Sequence, residues 1–144
     1  MNRDEKLESL LDRQYWVVDM LPKQVPANSE GQYFKIEQYY LESPRKEILV
    51  AKYANILIKL NCYYDFEVWF DEEWQSNPSP HCLSECLLKC DAVNRPLFVL
   101  LDSIDAMFSL NAEEPSMTIY NPNDSLLELL GALASSEGLF LWKP

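Results

Sequence analysis

The chain has little glycine and almost no histidine, with 3 glycines and 1 histidine among its 144 residues. Phosphate-binding loops and dinucleotide sites need several closely spaced glycines, because only a bare backbone can approach the phosphates closely enough. Neither pattern is present, and the sequence also has no GxSxG or HExxH motif. These absences remove the commonest signatures of nucleotide-binding proteins, hydrolases and zinc proteases. No stretch of the sequence identifies an activity.

Long apolar runs are also missing. The longest one spans residues 97–101, whereas a helix needs about 20 apolar residues to cross a bilayer. The first residues, MNRDEKLESLLDR, mix both charges, whereas a secretory signal has a basic start and then an apolar stretch. We therefore expect a cytoplasmic protein, in which the 4 cysteines are free thiols.

Basic residues are scarce after residue 59. Residues 1–59 carry 9 Lys and Arg against 9 Asp and Glu, whereas residues 60–144 carry 3 against 14. The second part of the chain therefore holds the entire net charge of −11. Nucleic acids and anionic membrane surfaces both require a basic contact surface. The charge argues against both of them and favours a basic protein as partner.

Apolar residues make up 48% of the chain, which at this length is enough for one substantial core. We therefore expect a single domain over residues 1–144. Residues 44–60 predict its central helix, with Ser43 as the cap and Pro44 at the first position. The polar side chains of this helix form one narrow stripe, so we expect it to be covered on several sides.

The end of the chain predicts a second core helix at residues 122–136, with Asn121 as its cap, Pro122 at its first position and Gly138 after its end. Strands are predicted at residues 14–21, 63–70, 97–101, 106–110, 117–120 and 139–142, and shorter helices at residues 3–12, 30–42 and 82–90. The aromatic content of residues 30–42 would also suit a strand. The predicted class is α+β, with a mixed, mostly antiparallel sheet of about five to six strands packed against the helices at 44–60 and 122–136.

The predicted strand at residues 63–70 alternates between an apolar and a polar face. Exposed tryptophans beside acids are typical of protein interfaces, and this strand and the segment after it contain two tryptophans among five acids. The candidate binding residues are Asp65, Glu67, Trp69, Asp71, Glu72, Glu73 and Trp74. Residues 71–81 are predicted to be a polar loop. The alternative to a binding role for Trp69 is that this loop covers its side chain.

Cysteines at positions 82, 86 and 90 follow His81 in a pattern that suggests a metal site. On one helix, however, Cys82 and Cys90 would lie about 12 Å apart along the axis, and thiolates that share a zinc ion must lie within roughly 4 Å. We therefore predict that the thiols pack as small apolar groups, that His81 is exposed, and that the chain holds no metal and no cofactor.

Carboxylates offer a second possible site for a metal. Asp65 and Glu67 share a strand face, and Asp102 and Asp105 flank a turn, where such groups can hold Mg²⁺ or Ca²⁺. A solvated strand face and a polar turn explain the same residues without a metal.

Three functions are compatible with the sequence. The favoured one is a small, acidic, non-enzymatic domain that recognises a basic protein, as inhibitor, immunity or antitoxin-like proteins do. The first alternative is a small metal-dependent or thiol enzyme that uses the carboxylates or Cys82 with His81. The second alternative is a homo-oligomeric subunit, with exposed aromatic residues at a dimer interface.

Overall fold

The computed structural model describes residues 1–93, 95–111 and 113–144, with side chains described for all of these except residues 30 and 91–93. The helices are α1 (Arg3–Leu10), α2 (Glu30–Tyr40), α3 (Arg45–Leu60), α4 (Pro80–Val93) and α5 (Asp124–Ser136). The strands are β1 (Tyr15–Asp19), β2 (Glu67–Phe70), β3 (Glu73–Ser76), β4 (Leu97–Leu101), β5 (Ala106–Leu110), β6 (Met117–Tyr120) and β7 (Phe140–Trp142). Within these described ranges, every helix is too short or too polar to traverse a lipid bilayer.

The strands form one sheet in the order β3-β2-β4-β5-β6-β1-β7. Every registered pair of neighbours is antiparallel. The predicted α+β class is therefore confirmed, with seven strands instead of about five to six. The last strand runs parallel to β6, but β1 lies between them and pairs with both.

The central helix is α3, as the sequence predicted. It lies beside α4 and α5, and together they cover one face of the sheet. Leu57 and Ile56 of α3 are fully buried, whereas Lys59 on the polar stripe is exposed. The narrow polar stripe thus correctly indicated a helix covered on several sides.

Among the described elements, the short helix α1 covers the opposite face of the sheet. Leu10 of α1 is buried against Leu100 and Met107, and Leu7 and Trp74 lie at the edge of this second apolar cluster. This cover explains why β4 is apolar at every position, because its two faces pack against different layers.

Local details at the helix ends differ from the predictions. Ser43 does not cap α3, and its hydroxyl instead donates to Oε1 of Glu47. Asn123, and not Asn121, caps α5 by accepting a hydrogen bond from the Leu126 N–H at 2.8 Å. Residues that favour helix caps also favour turns, so the sequence could not select between the two neighbouring asparagines.

The main error in the predicted elements lies in the segment from residue 71 to 81. It is not a loop throughout, because residues 73–76 form β3 and α4 already begins at Pro80. Ser79 caps α4, since its Oγ accepts a hydrogen bond from the Cys82 N–H at 3.1 Å. Ser-Pro before an apolar run is a common start of a helix, and this part of the error was avoidable.

Candidate functional site

The hairpin of β2 and β3, residues 67–76, carries most of the predicted binding residues. A two-residue turn of Asp71 and Glu72 joins the strands, and Phe70 pairs with Glu73 beside it. Both turn residues have left-handed backbone, with φ of 53° and 65°. This is the geometry of a tight hairpin turn, which usually contains the pair Asn-Gly. The segment has no such pair, which explains why the hairpin was not predicted.

Trp69 and Trp74 lie side by side on this hairpin. They are paired across the two strands, and the ring of Trp69 also contacts Phe98 at 5.8 Å between centroids. Both tryptophans are half-buried. Trp69 is therefore partly covered by Trp74, a residue of the segment 71–81 that was predicted to be a loop. Trp74 belongs to strand β3 and leaves part of the Trp69 ring in solvent.

Arg3 of α1 reaches the same side of the hairpin. Its guanidinium forms an ion pair with Glu67 at 3.0 Å and lies over the Trp74 ring at 5.3 Å. Asp4 accepts a hydrogen bond from the Trp74 indole at 2.9 Å. A cation from a distant part of the chain thus neutralises a carboxylate that has no basic neighbour in sequence.

The acids at the hairpin tip have different surroundings. Asp71 forms an ion pair with Arg95, and Asp65 accepts a hydrogen bond from the Asn77 side chain at 3.2 Å. Glu72 and Glu73 are exposed and have no ion pair among the described residues. The structure thus collects the predicted residues around one hairpin, and within its described part Asp65, Glu72 and Glu73 form no ion pair.

Asn77, a residue that the sequence did not single out, anchors this hairpin. Its Oδ1 accepts hydrogen bonds from the Phe66 N–H at 2.8 Å and from the Asn61 side chain at 3.0 Å. Its backbone is left-handed, with φ of 44°. Asn followed by Pro is a turn signal that could have identified it.

Asp102 and Asp105 hold a lysine where the sequence suggested a possible metal. Both carboxylates form ion pairs with Nζ of Lys6 from α1, and the hydrogen bonds to them raise the pKa of Lys6. Asp65 and Glu67 have the separate partners given above, so the structure does not bring the four acids together. Among the described side chains, no group of three or more His, Cys, Asp or Glu is arranged to hold a metal ion.

The cysteines divide into different environments. Cys90 is buried in the core and Cys62 is exposed, whereas Cys82 and Cys86 are half-buried beside a groove between α4 and the hairpin. Burial, and then the neighbouring Cys82, raise the pKa of the Cys86 thiol. The Sγ of Cys82 lies 3.4 Å from the Gln75 amide oxygen. The prediction that the thiols at positions 82, 86 and 90 pack as small apolar groups is right for the buried Cys90 and for Cys86, which packs against the edge of the core, whereas Cys82 is only half-buried.

His81 is exposed, as the sequence predicted, and its Nε2 lies 3.2 Å from Glu85. The structure therefore gives His81 a carboxylate partner on its own helix. It records no hydrogen bond between His81 and Cys82.

Asp19 is a buried acid that the sequence did not single out as a candidate. Its side chain is 8% exposed, and burial raises its pKa although the Met20 N–H donates to it at 2.7 Å. The Trp142 indole lies close enough to oppose this shift, but its N–H makes no well-formed hydrogen bond. The end of β1 at Asp19 is covered, whereas Tyr15 at its start is exposed.

Tyr33 of α2 lies in the electrostatic field of this buried acid. Burial and then the neighbouring Glu37 raise the pKa of Tyr33 to about 12, and Asp19 contributes to the same shift. Tyr53 of α3 is also buried, and its hydroxyl donates to the carbonyl oxygen of Pro115 at 2.6 Å. The Tyr53 hydroxyl also lies 3.2 Å from the carbonyl oxygen of Val18 and so connects β1 to α3, which favours a structural role for the cluster.

Comparison with known proteins gives no further guidance on the site. No protein-family model, no curated protein and no solved structure matches this chain.

Proposed function

We propose that this chain is a non-enzymatic, protein-binding domain of the inhibitor, immunity or antitoxin-like kind, which holds a basic segment of another protein against the β2–β3 hairpin. The observation that carries the proposal is the position of Arg3. Its guanidinium uses a carboxylate and an indole ring of the hairpin together. Ion pairing combined with a cation–π contact is the chemistry by which such a surface would hold a partner's arginine.

The free charges of the hairpin point to the part that a partner would contact. Arg3 already occupies Glu67, and Arg95 occupies Asp71. Glu72 in the turn and Glu73 at the start of β3 remain exposed, with Glu73 on the α4 side of the hairpin and the half-buried Trp69 and Trp74 on its other side. A cationic partner would be attracted by these acids over a Debye length of about 8 to 10 Å, and an aromatic ring would then supply apolar contact.

The backbone of β3 adds a second means of contact. Within the described part of the chain, β3 lies at the end of the sheet and has β2 as its one neighbour. The outer edge of such a strand can pair with an extended segment of another protein. The exposed Glu72 and Glu73 at the turn end of this edge favour a basic segment as its occupant.

The test is a pull-down from the native cell extract with the folded chain as bait. We expect a basic protein to be retained at low salt and progressively lost as salt rises. Glu73→Lys and Trp69→Ala should each weaken its retention. Glu67 is less suitable for this test, because its replacement would also break the contact with Arg3.

The matched control is Glu128→Lys, which makes the same charge change at an exposed position of α5, a helix that packs on β7 at the other end of the sheet. It should leave retention unchanged if the hairpin is the contact surface. Equal losses for Glu73→Lys and Glu128→Lys would mean that net charge alone governs binding. Retention that neither hairpin variant alters, with both shown to be folded, would contradict the proposal.

A further inference from the structure

A groove of about 310 Å³ lies between α2, α3 and the chain segments that follow β1 and α5. Leu49 and Leu139 are buried in its lining. Its volume is at the lower end of the range for small-molecule sites, which is about 300 to 1,000 Å³. The groove is remote in sequence from the β2–β3 hairpin and shares no lining residue with it.

The groove walls expose large apolar side chains. Ile48 of α3 is 57% exposed, and Ile36 and Tyr40 of α2 are 40% and 41% exposed. Single exposed apolar residues are ordinary, but three that line one concavity form a surface that gains from contact with an apolar body. The ligand should therefore carry an apolar chain or ring.

Two cations lie in the same lining, although the chain as a whole is strongly acidic. Lys52 is half-buried there and has no ion-pair partner among the described residues. Arg45 is fixed in position, because its Nε donates to the Tyr39 carbonyl at 2.6 Å and its guanidinium lies over the Tyr39 ring at 3.7 Å. One of its terminal N–H groups donates to Glu42, which leaves others without a protein partner in the described chain.

We propose that this groove binds an anionic amphiphile with a single apolar chain, of the medium-chain carboxylate class. The chain packs between Ile36, Tyr40 and Ile48, and the anionic head lies at Lys52 and Arg45. A charge-assisted hydrogen bond to a half-buried cation is stronger than a neutral one, so the charged head provides selectivity over a neutral alcohol of equal length. This site is independent of the proposed binding of a basic protein.

The test uses sodium decanoate as probe, with decanol as a neutral analogue and decyl phosphate as an alternative anion. We expect decanoate to shift the methyl NMR signals of Ile36, Ile48 and Leu49, and to bind at least tenfold more tightly than decanol. Tighter binding of decyl phosphate than of decanoate would overturn the assignment to carboxylates.

Substitutions in the groove separate its apolar and cationic parts. Lys52→Met should weaken decanoate binding about tenfold or more, and Ile48→Asp should abolish it. Lys59→Met is the matched control, because Lys59 belongs to the same helix but does not line the groove. All three positions are exposed or half-buried, so the variants should remain folded, as thermal unfolding would verify.

Three results would overturn the proposal. The first is no change in the groove signals at about 1 mM decanoate, which corresponds to binding weaker than about 4 kcal/mol. The second is equal binding of decanol and decanoate. The third is self-association of the chain, seen by light scattering and lost in Ile48→Asp, because a second copy would then be the occupant.

Discussion

Replacement of Glu72 by glycine should stabilise the chain. Glu72 occupies the second position of the turn between β2 and β3, with φ of 65°. A side chain with a Cβ atom is strained in this left-handed conformation, whereas glycine adopts it freely. The native residue therefore keeps a charge at the hairpin tip at a cost in stability.

The size of the effect follows from two opposing contributions. Left-handed backbone costs an ordinary L-residue about 1 to 2 kcal/mol. Glycine removes this cost but gives the unfolded chain more freedom, which opposes folding by about 0.4 to 1 kcal/mol. We expect Glu72→Gly to raise the free energy of unfolding by about 0.5 to 1 kcal/mol, or the melting temperature by about 1 to 4 °C for a chain of this size.

Urea unfolding of the native chain, Glu72→Gly and Glu72→Ala measures this effect. Both variants remove the same charge, but alanine keeps the Cβ atom and so keeps the strain. Only Glu72→Gly should therefore move the unfolding midpoint upward by the amount given above. The slope of the unfolding free energy against urea should stay the same for all three proteins.

Equal stabilisation by glycine and alanine would refute the argument, because relief of charge repulsion with Asp71 and Glu73 would then explain it. Destabilisation by glycine would show that the turn is not left-handed. If the hairpin binds a basic partner, Glu72→Gly should also reduce retention of that partner. Strained residues with uncompensated charge would then be retained for binding at the expense of stability.

Three further predictions concern the core and its titrating groups. Leu57→Ala should lower the free energy of unfolding by about 2 to 5 kcal/mol, because Leu57 is fully buried. Lys59→Ala, on the exposed stripe of the same helix, should be nearly neutral. Equal shifts of the urea midpoint for the two variants would contradict the burial of α3. A thiol reagent should modify the exposed Cys62 first, as mass spectrometry would show. It should modify Cys86 slowly until denaturant is added, because burial raises the pKa of that thiol. Equal rates of modification would contradict this prediction. Burial raises the pKa of Asp19 above 3.8, so the stability that its protonated form contributes is complete below that pH and is lost as pH rises through the raised pKa. Asp19→Asn does not titrate, and its free energy of unfolding should therefore increase relative to that of the native chain between about pH 4 and pH 7. A difference that does not change with pH would contradict the burial of a titrating carboxyl.

The sequence was a good guide wherever one segment carries its own periodicity. The helical stripe of α3 and the alternation predicted for residues 63–70 both depend on neighbours a few positions away. The helix was predicted correctly, and the strand was right for residues 67–70 but began too early, because residues 63–66 precede β2. The same local pattern placed Glu67 and Trp69 on one face of β2, and the structure agrees. It could not show that Trp74 would join them, because the turn at Asp71 and Glu72 lacks the glycine that usually indicates such a hairpin.

Only the tertiary structure determined which charges remain uncompensated. Arg3 pairs with Glu67 across 64 positions of sequence, and Arg95 pairs with Asp71 across 24. Composition located the negative charge in the second part of the chain, but an ion pair depends on where two distant segments meet in space. Burial of Asp19 beneath the segments around β1 has the same origin. Periodicity is a property of one element and can be seen in its sequence, whereas the neutralisation or burial of a charge depends on the packing of several elements together.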